Sequence, residues 1–226
     1  EADIIIWDGG NNDFSFFKSD LQIVVLDPLR AGHEVSFYPG ETNFRMADIL
    51  IINKMDSAKQ ADVIKIMQNI QKFNPNAVVI KARSKLSVAD PKKLKGKRVL
   101  VVEDGPTLTH GGMFTGAATI ESHRSGVKEI IDAQKFAVGS LKDVYKKYSS
   151  LKRILPAMGY SHKQIKELEK TINDSDADLV VSGTPIDLGR ILKINKELIR
   201  VNYDLDEIGK PDLQSVLLKF LKKVGL

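Results

Sequence analysis

Short runs of β-branched and aliphatic residues recur along the first part of the chain, at Ile4–Trp7, Ile23–Leu26, Ile49–Ile52 and Val78–Ile80. Each is too short for a buried helix. The spacing leaves room for a crossover between one run and the next, the pattern of a mostly parallel sheet with helices on both faces. Strands buried on both sides read as continuous apolar runs, and ligands of such sheets gather at the strands' carboxyl ends. The residues that follow each run are therefore the first place to look for chemistry.

The run at Ile49–Ile52 leads into Asn53-Lys54-Met55-Asp56. A carboxylate at the fourth position can accept both adjacent donors of guanine, its ring N–H and its exocyclic amine, and adenine offers no such pair. Asp56 is the expected base-selecting residue. The Lys54 stem can lie along the base with its ammonium in water, and the Asn53 amide can brace neighbouring loops. The run at Ile4–Trp7 ends in Asp8-Gly9-Gly10. An acid closing a buried strand suits Mg²⁺, and glycines after it let backbone N–H groups approach a terminal phosphate. Asp8 is thus the candidate metal ligand, with Gly9 and Gly10 as phosphate contacts. Ala82-Arg83-Ser84, after the fourth run, stands where a short loop can touch the guanine oxygen, with Ala82 supplying the contact.

No Gly-x4-Gly-Lys-Ser/Thr occurs: Gly96-Lys97 is followed by Arg98 and Gly209-Lys210 by Pro211. The lysine and hydroxyl that cradle nucleotide phosphates are missing from this chain. The chain begins without Met at the strand that follows such a loop, so a longer polypeptide is expected, with the upstream part supplying the phosphate grip.

The helix after Asp56 has capping-box spacing at Ser57 and Gln60 and an apolar stripe of Val63, Ile66, Met67, Ile70 and Phe73, ending at Asn74-Pro75. From Ser84 to Arg98 the chain turns polar and basic around Pro91 and Gly96, which places a boundary near residue 90. Residues 1–90 form the nucleotide-type segment and residues 91–226 a second α/β segment, extending the same sheet or standing as a separate domain. Its expected strands are Arg98–Val102, Leu179–Ser182 and Ile199–Tyr203. The expected helices cover Gly139–Tyr148, Ser161–Ile172 and Asp212–Lys223, with a second capping box at Ser161 and Gln164.

Two loops of that segment follow apolar strands. Glu103-Asp104-Gly105-Pro106-Thr107-Leu108-Thr109-His110-Gly111-Gly112-Met113 holds acids, hydroxyls and an imidazole, enough to place magnesium, bind phosphate and move a proton. Asp104 and His110 are its candidate catalytic groups, Thr107 and Thr109 its candidate phosphate ligands. In Ser182-Gly183-Thr184-Pro185-Ile186-Asp187 a ligand contact competes with a helix cap at Thr184. Arg124, Arg153 and Arg190 are candidate anion clamps.

Composition narrows the remaining classes. With no cysteine there is no disulfide, thiolate metal site or cysteine nucleophile, and the four histidines lack metal-ligand spacing, leaving magnesium as the expected metal. No apolar run spans a bilayer and no secretion signal opens the chain, so a cytoplasmic protein without membrane partners is expected. The net charge of +5 comes from residues 91–226, with twenty-four Lys/Arg against seventeen Asp/Glu, while residues 1–90 carry ten against twelve. The lysines interleave with acids, as on a solvated surface, and nucleic-acid motifs are missing, so nucleic acid is not an expected partner.

Taken with Trp7–Phe14, Tyr38–Asn43, Arg45–Asp48, Asn53–Asp56, Val101–Gly111, Leu155–Tyr160 and Gly183–Leu188, the chain resembles, nearly end to end, a family of predicted GTPases related to cyclic 2,3-diphosphoglycerate synthetase. The resemblance implies a P-loop NTPase fold in which a Rossmann-like domain and a phosphate loop precede the present region. It also implies Mg²⁺ and GTP, or alternatively ATP, as ligands. The functions in view are GTP hydrolysis as a switch or loading factor, nucleotide-driven phosphoryl transfer to a small anionic phosphorylated substrate, and a non-catalytic α/β module. A homo-oligomer is a further possibility.

Overall fold

The computed structural model describes residues 2–10, 13–105, 108, 115–151, 153–158 and 161–226. The fold is α/β, with parallel pairing of β-strands and helices on the sheet faces, like that of P-loop NTPases. It divides into two compact units, residues 1–85 with 204–226, and residues 86–203. The second segment therefore begins at Leu86, and the last 23 residues belong with the first unit, a discontinuity that the division at residue 90 did not include.

In unit 1, β1 (Ile23–Leu26), β2 (Ile49–Ile52) and β3 (Val78–Val88, of which residues up to 85 lie in this unit) pair in parallel in that order. The register Val24↔Leu50 and Leu26↔Ile52 puts Val24, Leu26, Leu50 and Ile52 on one face. There they pack with Phe44 of α1 (Gly40–Met46) and with Ile66 and Ile70 of α2 (Gln60–Phe73). On the other face Ile49, Ile51, Ile80 and Ala82 meet Leu213 and Val216 of the C-terminal helix, Leu213–Val224. Every β2 side chain is buried, as a central parallel strand requires.

Three local expectations are corrected. Ile4–Trp7 is not a strand: no partner strand lies alongside it among the described residues, and Ile5 and Ile6 are 75% and 86% exposed. An apolar run without a neighbour to satisfy its backbone does not form a sheet element. The Ser57/Gln60 capping box does not form either; α2 starts at Gln60 with Lys59 as N-cap and no side-chain cap bond. Ala82-Arg83-Ser84 is no loop but lies inside β3, which runs on to Val88 because its alternation of inward and outward residues continues.

Unit 2 is a parallel sheet centred on β4 (Arg98–Asp104). One edge of β4 pairs first with β5 (Glu129–Ile130) and then with β6 (Ile154–Ala157). The other edge pairs with β7 (Leu179–Ser182), and β8 (Glu197–Glu207) adds to β7 through its first residues. Helices described in this unit include α3 (Ala117–Arg124), α4 (Ser140–Lys147), α5 (His162–Asp174) and α6 (Leu188–Ile191). The capping box of Ser161 and Gln164 at the start of α5 is present in full. At α6 the cap is Asp187, whose carboxylate accepts from Gly189 N–H at 3.1 Å, and the Thr184 hydroxyl instead donates to the Ile186 carbonyl. The C-terminal helix, α7, is capped by Asp212, which accepts from Ser215 N–H at 2.7 Å. No helix among the described residues is long and apolar enough to cross a membrane.

Candidate functional site

The most organised polar constellation lies at the carboxyl ends of β1 to β3. Asn53 follows β2, its side-chain oxygen accepting from Lys54 N–H at 2.8 Å and its amide donating to Ser84 Oγ at 3.1 Å. Met55 N–H donates to the carbonyl of the buried Ala82 at 3.1 Å. Residues 53–55 are thereby tied to β3 from two sides. Lys54 adopts a left-handed backbone, with φ of 55°, a conformation that costs a non-glycine residue free energy and persists where surrounding bonds over-determine it. The turn that results leaves Asp56 exposed, with no hydrogen bond or ion pair among the described residues.

Lys54 does not leave its ammonium in water as expected: Nζ donates to Asp27 Oδ2 at 2.8 Å. Asp27 follows β1, caps the short helical turn Pro28–Arg30 through Leu29 N–H, and accepts from Arg30 at 3.1 Å. Burial pushes the Asp27 carboxyl up, but the Lys54 ammonium, the Leu29 N–H and the Arg30 charge together outweigh it and hold the group below its ordinary 3.8. The sequence signal for Asp27 was an acid directly after an apolar strand, the same signal that drew attention to Asp8. A cleft of about 200 Å³ opens beside it, bordered by Arg30, His33, Tyr38 and Phe44.

Asp27→Asn is expected to lower the stability of unit 1 by about 1 kcal/mol at neutral pH, because it leaves Lys54 without its counter-charge. A depressed carboxyl stabilises above its unfolded value and loses that contribution as the pH falls through its folded value. The difference between wild type and variant therefore closes below pH 3.8, which denaturant melts across the acid range will read.

Asp8 is exposed and without a partner among the described residues, on a segment that joins no sheet. A Cβ at Gly9 would run into the Trp7 ring, and Gly10 N–H donates to Asp13 Oδ2 at 3.1 Å, so both glycines serve a tight local turn. The segment is tethered to α1 and the residues before it: Asn43 donates to the Asp13 carbonyl at 3.0 Å, and Phe14 meets Tyr38 edge-on at 6.0 Å. No three Asp, Glu or His side chains gather as a metal cluster among the described residues. Magnesium at a nucleotide takes only one or two protein carboxylates, the rest being phosphate oxygens and water, so a lone unpaired Asp8 fits that donor set.

In unit 2, Asp104 closes β4 half-buried, whereas Thr107, Thr109 and His110 lie outside the described residues. The buried acid at this strand end is its neighbour Glu103, 2% exposed, which was expected as part of the loop but not singled out within it. Its Oε1 accepts from Thr119 N–H at 2.7 Å and from the Thr119 hydroxyl at 2.8 Å. Backbone bonds from Ala118 and Gly116 add to these, so Glu103 fills the N-terminal end of α3. Burial pushes this carboxyl up, and the opposing bonds do not cancel the shift. A Cβ at Gly116 or Gly183 would run into the carboxylate, so both backbones approach it as only glycine allows.

The three candidate clamps stand at separate places in unit 2. Arg153 precedes β6 and so stands at the strand's amino end, and Arg124 lies at the end of α3 away from Glu103. Arg190 is largely exposed and pairs with Asp187 at 3.3 Å.

Residues 4–81 match the family model of the CobW/HypB/UreG nucleotide-binding domain. Over 222 residues, 98% of the chain, the sequence is 59% identical to a protein named arginine synthetase ArcE from Thermococcus kodakarensis. The chain spans about half the length of that relative, 50%.

Proposed function

We propose that this chain recognises the base of a guanine nucleotide through Asp56 and takes part in a nucleotide-dependent synthetase reaction of the kind named for its relative, one that yields arginine. The observation that carries the base assignment is the unpartnered, exposed Asp56 beside Asn53 and Lys54, both of which are held by other residues. Guanine's two donors meet the Asp56 carboxylate, and the Lys54 stem, pinned at its far end by Asp27, supports the face of the ring. Asp8 is the residue to hold magnesium, which when bound offsets charge on the phosphates. A Gly-x4-Gly-Lys-Ser/Thr phosphate loop is not among these 226 residues.

In a synthetase of this type the terminal phosphoryl group passes to an oxygen of the acceptor. That oxygen then leaves as phosphate when a nitrogen nucleophile attacks. The match to a nucleotide-binding domain supports the first half of this reading and the relative's name the second. A phosphoryl transfer of the cyclising-synthetase type is the variant in which a second group of the same acceptor attacks. ATP in place of GTP is the variant in which Asp56 does not choose the base.

The test is phosphate release by the full-length protein, measured with GTP or ATP, with and without an amino-acid acceptor and ammonium. Release that requires GTP, acceptor and ammonium together is expected. Release from GTP alone at an unchanged rate would identify a hydrolase, and a preference for ATP would remove Asp56 from base selection.

A further inference from the structure

Seven of the twelve residues of α7 are apolar, yet none is fully buried. Leu213 and Val216 face the sheet. At 3.6 residues per turn, Gln214, Leu217, Leu218 and Leu221 share an adjoining flank. With Leu205 and Glu207 of β8 and the edge of Leu213, that flank lines an open groove of about 440 Å³, all within unit 1. Leu205 and Leu218 are 43% and 51% exposed, which makes this a contiguous apolar strip rather than scattered surface leucines.

Groups of opposite charge stand along α7, Glu207 in the lining of the groove and Lys222 beyond its far end. Glu207 stands at the start of α7, its carboxylate accepting from Leu213 N–H at 2.6 Å. Lys222 stands one turn beyond Leu218 at the other end, exposed to solvent. We propose that a second copy of this chain docks here, the two α7 helices lying antiparallel across a two-fold axis. A two-fold interface must be complementary to itself, and an acid at one end with a base at the other satisfies this: each Glu207 meets Lys222 of the partner subunit. Antiparallel helices also oppose their dipoles favourably, and the leucines of both copies leave water together. An acidic amphipathic helix of another protein would match Lys222 but would set like charges against Glu207.

The test uses the whole 226-residue chain and needs no nucleotide, so its outcome is independent of the functional reading above. In sedimentation equilibrium the wild type is expected at twice the chain mass. Leu218→Glu and Lys222→Glu are expected to shift it toward the chain mass, and raised salt to act like the second change. Both residues are exposed, so circular dichroism and melting of the variants should match wild type. Because the chain has no cysteine, a single introduced one reports contact cleanly. Under mild oxidation Leu218→Cys is expected to cross-link two chains, and Lys219→Cys, on the opposite flank of α7, is not. A wild type at the chain mass, a dimer that survives Leu218→Glu, or equal cross-linking at both positions overturns the proposal.

Discussion

Asp56→Asn is expected to weaken guanine-nucleotide binding by roughly 3 kcal/mol, about a hundredfold, and to erase the preference over adenine nucleotide. The carboxylate offers two acceptor oxygens to two adjacent donors. Asparagine keeps one oxygen and turns an amine toward the other donor, so one bond is lost and a repulsive contact replaces it. Asp56 has no partner among the described residues, hence the fold is indifferent to the change and melting should shift by no more than about 0.5 kcal/mol. Titration of GTP and ATP into the full-length protein reads both effects. Undiminished discrimination would show that the base is chosen elsewhere.

The largest expected effect on stability is at Glu103. Glu103→Ala strips the α3 N-terminus of the acceptor for Thr119 N–H and the Thr119 hydroxyl, and leaves them unsatisfied in the interior at a cost of roughly 3 kcal/mol. Glu103→Gln keeps one acceptor and is expected to cost less. The pH dependence has a definite sign. Burial raises the folded carboxyl above its ordinary 4.5, so between the two values the folded state binds more protons than the unfolded state. The contribution of Glu103 is fully present below the unfolded value and is lost as the pH rises through the folded one. Wild type should therefore gain stability relative to Glu103→Gln as the pH is lowered from neutral toward 4.5. Denaturant melts of both proteins over that range supply the check, and a gain in the opposite direction would reverse the assigned balance of burial and bonding.

The elements that could be read from sequence were those whose signals are local and redundant. Ile49–Ile52 is an unbroken aliphatic run and became the buried centre of unit 1, and Ser161 with Gln164 announced the start of α5. Ser57 and Gln60 had the same spacing, but the chain turns through residues 55–57 before α2 begins at Gln60, so spacing alone does not fix where a helix starts. Ile4–Trp7 has strand composition, yet a strand exists only by pairing, and composition does not supply the partner.

The candidate site was legible to a similar depth. Asn53, Lys54 and Asp56 are contiguous and so could be recognised together, whereas Asp27 reaches Lys54 across 27 positions of sequence. At Glu103-Asp104 two neighbouring acids end one strand, and alternation sends them to opposite faces of the sheet. Which of them meets α3 depends on the strand's register against β6 and β7, a tertiary fact, and it is Glu103 that does.

Because β2 is enclosed on both sides and its last residue leads straight into the Asn53–Asp56 turn, the turn has no local route to disorder. Its geometry should persist up to the temperature at which the whole first unit melts, and then vanish in the same transition. On warming, selectivity between bases would stay flat and then fail abruptly, without the gradual decline seen when a recognition loop frays before its scaffold.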